Sequence, residues 1–148
     1  MAETRHAIAT WSGNLTEGSG MLLYVSSGAI SRQALTWSSR TEAHNGRTSP
    51  EELLAAAHAS CFSMAFANQL GKNGTPATKL DVRVDVTADK REAGWTVLSS
   101  AIKVTGVVPG IDKAKFDELA NAAKDGCPIS RAIAGNVELS VEATLTES

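Results

Sequence analysis

Residues 49–71, SPEELLAAAHASCFSMAFANQLG, decide the fold. Ser49 suits an N-cap, Pro50 suits the first helical position because its φ is already helical, and Glu52 at the third position can close a capping box with Ser49. The spacing predicts a helix through the whole stretch. From Leu53 to Leu70 the only polar side chains are His58, Ser60, Ser63, Asn68 and Gln69, so the helix must be covered nearly all round. Ala55, Ala56, Ala57, Ala59, Ala65 and Ala67 keep it slim enough for close neighbours. A chain of 148 residues with a few strands cannot supply that cover alone, which predicts a homodimer whose central helices pack together. Glu52 has a capping job. Glu51 has none, and it is left for a partner outside the helix.

Around this helix the pattern changes period. Val82, Val84 and Val86 alternate with Asp81, Arg83 and Asp85, and Val137, Leu139, Val141, Ala143 and Leu145 alternate with polar residues, so both stretches read as strands with one wet face. Residues 94–107 form a further strand after the polar turn ADKREAG. Phe116, Leu119, Ala120 and Ala123 fall at helical spacing, and Gly126 can cap that helix. Before the polar loop TEAHNGRT, Gly13, Gly18, Gly20 and Gly28 separate three strands at roughly 4–12, 19–27 and 33–40. The order is that of an α+β protein, helices packed on antiparallel sheet, with residues 1–148 as a single domain.

Composition narrows the function. The chain is 43% apolar and 20% charged with a formal net charge of -2, and its 14 lysines and arginines are scattered, which predicts no nucleic-acid partner. Glu3 and Arg5 stand where a secretory signal needs an apolar core, and no apolar run approaches a membrane span, so a soluble, cytoplasmic protein is expected. Two cysteines are too few for a disulfide scaffold and lie too far apart for a CxxC motif. His58, Cys61 and Cys127 could meet at a metal, but with three histidines and no HExxH the spacings argue against zinc.

Two readings of Cys61 are open: a small hydrophobe packed among alanines, or a nucleophile screened from water. Burial in mid-helix raises a thiol's pKa. Cys127, in KDGCPISRAIAG, precedes Pro128 where a new helix starts, and a helix N-terminus favours a thiolate. Local physics therefore makes Cys127 the more acidic thiol and Cys61 core. His58, one turn from Cys61, reads first as a hydrogen-bonded core or interface residue. Trp11, Trp37 and Trp95 read as core or interface aromatics.

NGRTSPEELLAAAHASCFSMAF together with VPGIDKAKFDELANAAKDGCPISRAI resembles the OsmC/Ohr family of thiol-dependent peroxidases, and the order of elements follows the family's through essentially the whole chain. The SPEELLxAAHASCFSMA and GCPxS blocks are closer to the OsmC, osmotically inducible, branch. The resemblance implies an intertwined homodimer, antiparallel sheets wrapped around long central helices, and a hydroperoxide reductase without metal, haem or flavin. It implies Cys61 as the peroxidatic cysteine and Cys127 as the resolving one. It also implies an arginine from the strand region before the helix and a glutamate at its start. Glu51 matches the glutamate and Arg40, in WSSRTEA, the arginine, with Arg47 as the alternative.

The implied chemistry is attack of a Cys61 thiolate on the O–O bond, a sulfenic acid, a Cys61–Cys127 disulfide, and reopening by an external thiol or dithiol in defence against oxidative stress. Ionising a thiol fully at neutral pH multiplies its thiolate only about thirtyfold, so a guanidinium that stabilises the departing oxygen must contribute as well. Leu54, Ala57, Phe62 or Met64 could wall a pocket for a carbon tail, at ~0.8 kcal/mol per buried CH₂, which predicts a preference for organic hydroperoxides over hydrogen peroxide. Glu51 and Cys61, ten residues apart, are separated by about 15 Å along one helix, which suggests a site assembled at a subunit interface. Two rivals stand beside this reading: a redox sensor or binding protein using the same disulfide without turnover, and a thiol hydrolase, for which no His-Asp or His-Asn partner of Cys61 is visible.

Overall fold

The computed structural model of the protein describes residues 1–146. In chain order its elements are β1 (Ala7–Ser12), β2 (Ser19–Val25), β3 (Ser31–Leu35), α1 (Trp37–Thr41), α2 (Pro50–Lys72), β4 (Lys79–Arg91), β5 (Gly94–Val107), α3 (Lys113–Gly126), α4 (Pro128–Ile133) and β6 (Glu138–Thr146), an α+β arrangement. The chain divides into two compact units, Met1–Leu53 and Leu54–Ser148.

The first unit is an antiparallel meander, β1-β2-β3. Trp11 pairs with Gly20, and a Cβ on Gly20 would stand 2.5 Å from the Trp11 ring, so glycine is what lets the indole lie against β2. Leu22 is the buried apolar side chain of this unit among the described residues, and every residue of β1 is exposed. The third strand stops at Leu35, short of the 33–40 expected. Thr36 Oγ1 accepts from the Ser39 amide at 3.0 Å while the Thr36 amide donates to Ser39 Oγ at 3.1 Å, a reciprocal cap that starts α1. Capping hydroxyls here outweigh the strand preference of Thr and Trp, and Arg40 consequently sits on a helix.

The second unit has a packed core. α2 turns His58, Phe62, Phe66 and Leu70 to one buried face, and α3 adds Phe116, Leu119, Ala120 and Ala123. The Phe66 ring lies 5.6 Å from Phe62 and 5.1 Å from Phe116. Ser100, Ile102 and Val104 of β5 are buried at alternate positions. A Cβ on Gly106 would stand 2.8 Å from Phe116, so its absence lets α3 close on β5.

Three expectations are corrected in this unit. The sheet is mixed: β4 and β5 pair antiparallel, but β6 runs parallel to β5. The chain returns to the sheet through α3 and α4, and such a helical crossover delivers a strand in parallel. The ADKREAG turn shrinks to Glu92 and Ala93, because the two strands stay paired as far as Arg91 and Gly94. Gly126 is the last helical residue and not a left-handed cap; Pro128 forces Cys127 into extended backbone (φ -59°, ψ 125°), which ends α3 and opens α4. On α2, Ala56, Ala57, Ser60, Met64 and Ala67 stay exposed, so the chain covers one side of the helix and not its whole circumference. Among the described residues no helix is long and apolar enough to cross a membrane.

Candidate active site

Cys127 is held where α3 hands over to α4, its amide donating to Ala123 O (2.9 Å) and its carbonyl accepting from the Arg131 amide (3.0 Å). Cys127 and Cys61 of α2 are both free thiols, and each influences the ionisation of the other. Burial pushes the Cys61 thiol up, the bond to Cys127 adds to this, and the Ile129 amide and the Arg131 charge oppose it only in part. Burial also acts upward on Cys127, but the polar groups around it, Cys61 and the start of α4 at Ser130 and Ile129, outweigh it and bring that thiol down. The two thiols are thereby pushed in opposite directions, Cys61 up and Cys127 down.

Behind the pair lies a buried polar chain. His58 Nδ1 is 2.6 Å from Ser100 Oγ and Nε2 is 2.7 Å from Ser130 Oγ, and all three side chains are buried. Burial lowers the His58 pKa, favouring a neutral imidazole between two hydroxyls. His58 is thus the hydrogen-bonded core residue expected.

Ser49 caps α2 as expected, its Oγ accepting from the Glu52 amide at 3.1 Å, but Glu52 completes only half of the capping box: its carboxylate accepts from Thr48 Oγ1 at 3.0 Å. Glu51 is left to a partner outside the helix. Arg40 Nε reaches Glu51 Oε1 (2.9 Å) and Oε2 (3.2 Å), and Nη2 reaches Oε1 (2.9 Å). The Arg40 side chain is 33% exposed and that of Glu51 10%, so the pair is better screened than an ordinary surface ion pair. Arg40 also lies over Trp37, 5.8 Å from the ring centroid. Arg47 is exposed in the preceding loop, its amide bonded to His44 O at 2.9 Å.

A cavity of about 220 Å³ opens beside this pair, lined by Trp11, Leu15, Leu35, Trp37, Arg40 and Pro50. These are not the walls expected. Phe62 shares the buried face with Phe66 and belongs to the core, and Met64 is 67% exposed. Among the described residues no cluster of three or more His, Cys, Asp or Glu side chains is placed to hold a metal ion.

Three residues near the thiols and His58 were given no role by the sequence reading. Arg131 lies four positions after Cys127, a helical spacing that could have flagged it. Ser130 closes the GCPxS block and Ser100 carries no signal; they reach His58 from 72 and 42 positions away.

The OsmC-like protein family model matches residues 43–142. The chain is 40% identical to Peroxiredoxin OsmC of Escherichia coli strain K12 over 131 residues, 88% of this chain and 90% of that protein. It is 30% identical to the organic hydroperoxide resistance protein OhrB of Bacillus subtilis over 96 residues, 64% of this chain and 68% of that one. The crystal structure of B. subtilis OhrB superposes with a TM-score of 0.72 at 26% identity, covering 94% of this chain and 98% of the other. With the family model spanning residues 43–142 and the E. coli protein matched over nearly its full length, this chain belongs to the OsmC-like protein family.

Proposed function

We propose that the protein is a cysteine-based peroxidase that reduces hydroperoxides, organic ones in preference, with residues 1–148 serving as one functional module. The observation that carries this is the pair of free thiols, Cys61 and Cys127, each shifting the other's ionisation, in a chain 40% identical to a peroxiredoxin. Cys61 attacks the peroxide and Cys127 closes the disulfide.

In this reading the reduced pair shares one proton between the two sulfurs. Shift of that proton across the S–S contact leaves Cys61 as the thiolate. Its sulfur attacks the terminal peroxide oxygen, the O–O bond breaks, Cys61 becomes a sulfenic acid, and the departing alkoxide takes the proton from Cys127 to leave as alcohol. Cys127, again a thiolate, attacks the sulfenyl sulfur. The S–S bond forms, the S–O bond breaks, and hydroxide takes a solvent proton to become water. An external thiol or dithiol then supplies the two electrons that reopen the disulfide.

In this reading Arg40 stabilises charge on the departing oxygen through the donors not committed to Glu51, and Glu51 orients the guanidinium without taking a proton. The cavity beside Arg40 suits a substrate with an apolar tail and a polar head, since each buried CH₂ contributes ~0.8 kcal/mol that hydrogen peroxide cannot collect. The functional form is an intertwined homodimer built around long central helices. Two features support this: the exposed small-residue face of α2, and a three-stranded sheet that leaves Ile8, Trp11 and Tyr24 open to solvent.

The test is consumption of an alkyl hydroperoxide with a dithiol. The Cys61→Ser variant loses at least a thousandfold in kcat/KM; the Cys127→Ser variant forms a sulfenic acid once but no internal disulfide. Turnover by Cys61→Ser overturns the assignment, and so does a wild type that oxidises once and is recycled by no dithiol.

A further inference from the structure

Trp11, Gly20 and Leu35 form one cross-strand row of the first sheet: Trp11 pairs with Gly20, and Gly20 pairs with Leu35. Residues opposite each other in a ladder project to the same face, so Trp11 and Leu35 rise from one face with a bare glycine between them. The indole occupies that gap. A Cβ on Gly20 would stand 2.5 Å from its Cε3 and 3.2 Å from its Cζ3, so the six-membered ring of the indole lies on the backbone of β2. Its other edge is pinned: Nε1 donates to Gly13 O (3.2 Å) and Asn14 O (3.3 Å) in the β1–β2 turn. That turn is itself closed, the Gly18 amide donating to Asn14 O (2.9 Å) and the Glu17 amide to Asn14 Oδ1 (2.7 Å). Trp11 is thus a fixed plate, yet 42% of its surface is open, and with Leu15 and Leu35 it lines the cavity. The strand order β1-β2-β3 puts its backbone two strand spacings, about 10 Å, from Leu35, where the chain runs through Thr36 into α1 and Arg40.

We infer that Trp11 is a specificity-determining residue, the surface against which the far end of the substrate's carbon tail packs. This rests on the peroxidase reading and goes beyond it by naming the group that tells one tail from another. When sulfur takes the terminal oxygen of a hydroperoxide, the oxygen that departs toward Arg40 is the one bonded to carbon. The tail therefore starts at Arg40, on the wall of the cavity. The indole beside Arg40, Trp37, already lies under the guanidinium, 5.8 Å from Arg40 Cζ to the ring centroid. Trp11 stands at the other end of the row. A compact tail such as tert-butyl ends close to the departing oxygen, whereas a phenyl ring on the same carbon reaches on toward β1 and meets a flat apolar face. An aromatic pair gains beyond the area it buries, on the scale of about three- to tenfold in affinity. A plate already held on both edges loses little freedom when the ring docks, which keeps that gain. Contact with the tail is the same before and after the O–O bond breaks, so its loss shows in KM and not in kcat.

Two readouts test this, with Trp11→Leu, which keeps a branched apolar residue in the strand, and Trp11→Phe, which keeps a ring; both are checked for folding by circular dichroism. The first is steady-state kinetics with cumene hydroperoxide and with tert-butyl hydroperoxide at fixed dithiol. Trp11→Leu is expected to lower kcat/KM for cumene hydroperoxide about tenfold, through KM, and to leave that for tert-butyl hydroperoxide within about twofold. Trp11→Phe recovers most of the preference. The second readout needs no turnover and uses the reduced wild-type protein. The indole N–H resonance of Trp11, assigned by its loss in Trp11→Phe, is followed during titration with 2-phenyl-2-propanol, the alcohol product of cumene hydroperoxide, and with tert-butanol. Only the phenyl alcohol is expected to move it. Equal losses for the two hydroperoxides in folded Trp11→Leu, or an indole resonance that 2-phenyl-2-propanol leaves in place, overturn the proposal. A wild type that turns over neither hydroperoxide with any dithiol overturns the peroxidase reading instead, and the alcohol titration still decides whether Trp11 receives a tail.

Discussion

Phe66 has an aromatic ring on either side and no solvent exposure, whereas Trp11 and Tyr24 each leave 42% of their surface open. The contrast runs through the two units. The second closes its sheet with α2 and α3 around rings and branched side chains, and the thiols sit against that core. The first presents a sheet with Leu22 as its buried apolar residue among those described, and it carries the cavity and the Arg40–Glu51 pair. A three-stranded sheet without a covered face is marginal by itself. Labour is thereby divided: the part with the rigid core holds the sulfurs in register, and the part that lacks a core depends on another surface, which we assign to a second copy of the chain.

The largest effect expected comes from attacking the rigid side of that contrast. Phe66→Ala removes the ring between Phe62 and Phe116 and should cost about 3–5 kcal/mol in chemical denaturation. Diluting the wild-type protein attacks the other side. If a second copy covers β1–β3, hydrogen exchange at those strands speeds up on dilution, while β4 and β5 keep their protection. Equal response of both sheets breaks the comparison and removes the support it gives to the homodimer.

Next in size are two ion pairs that look alike in distance and differ in setting. Arg83 makes three hydrogen bonds to Asp85, the shortest 2.8 Å, but its side chain is 77% exposed. Arg40 makes equally short bonds to Glu51 from a half-buried position on the wall of the cavity. Exposed pairs are screened, and Arg83→Met should change kcat/KM by less than about twofold. Arg40→Met should lower it about a hundredfold, the scale of losing one donor to a developing oxyanion. The assay is the initial rate with an alkyl hydroperoxide at fixed dithiol. Equal effects from the two substitutions would sink the role given to Arg40.

Much of this arrangement is legible in the residues. Ser49-Pro50 places the start of α2, alternation places β5 at 94–107 as observed, and Cys127-Pro128 marks the start of α4. Direction is not legible: the alternation in β6 shows which residues face the core but is the same for a parallel or an antiparallel neighbour. The break after Leu35 is hidden because Thr and Trp suit a strand as well as a cap. In the candidate site, Glu51 and Arg40 can be nominated once Glu52 is assigned to the cap, and Cys61 is separated from an ordinary buried cysteine only by the family resemblance. Ser100 is invisible, and Ser130 stands in the GCPxS block without a role, since the value of both lies in distant packing against His58.

The smallest effect expected is one of pH, and it too separates the units. His58 is held neutral between two hydroxyls by burial, so its folded pKa lies below the ordinary value of 6.5, which it regains on unfolding. Between those two values the unfolded chain binds more protons than the folded one, so stability rises with pH there. The contribution of His58 is thus fully present above about 6.5 and is lost progressively as the pH falls from there toward the lower folded value, at no more than about 1.4 kcal/mol per pH unit. Asp85 and Asp89, whose carboxyls are lowered by their hydrogen bonds to Arg83 and Arg91, act in the same direction but only at more acidic pH. Denaturation followed at about pH 7.5, 6.5 and 5.5 should show the slope in wild type and a flatter one in His58→Gln. In hydrogen exchange the acid loss should appear in β5, which carries Ser100, before it appears in β1–β3. An identical slope in His58→Gln would show that the acid sensitivity arises elsewhere.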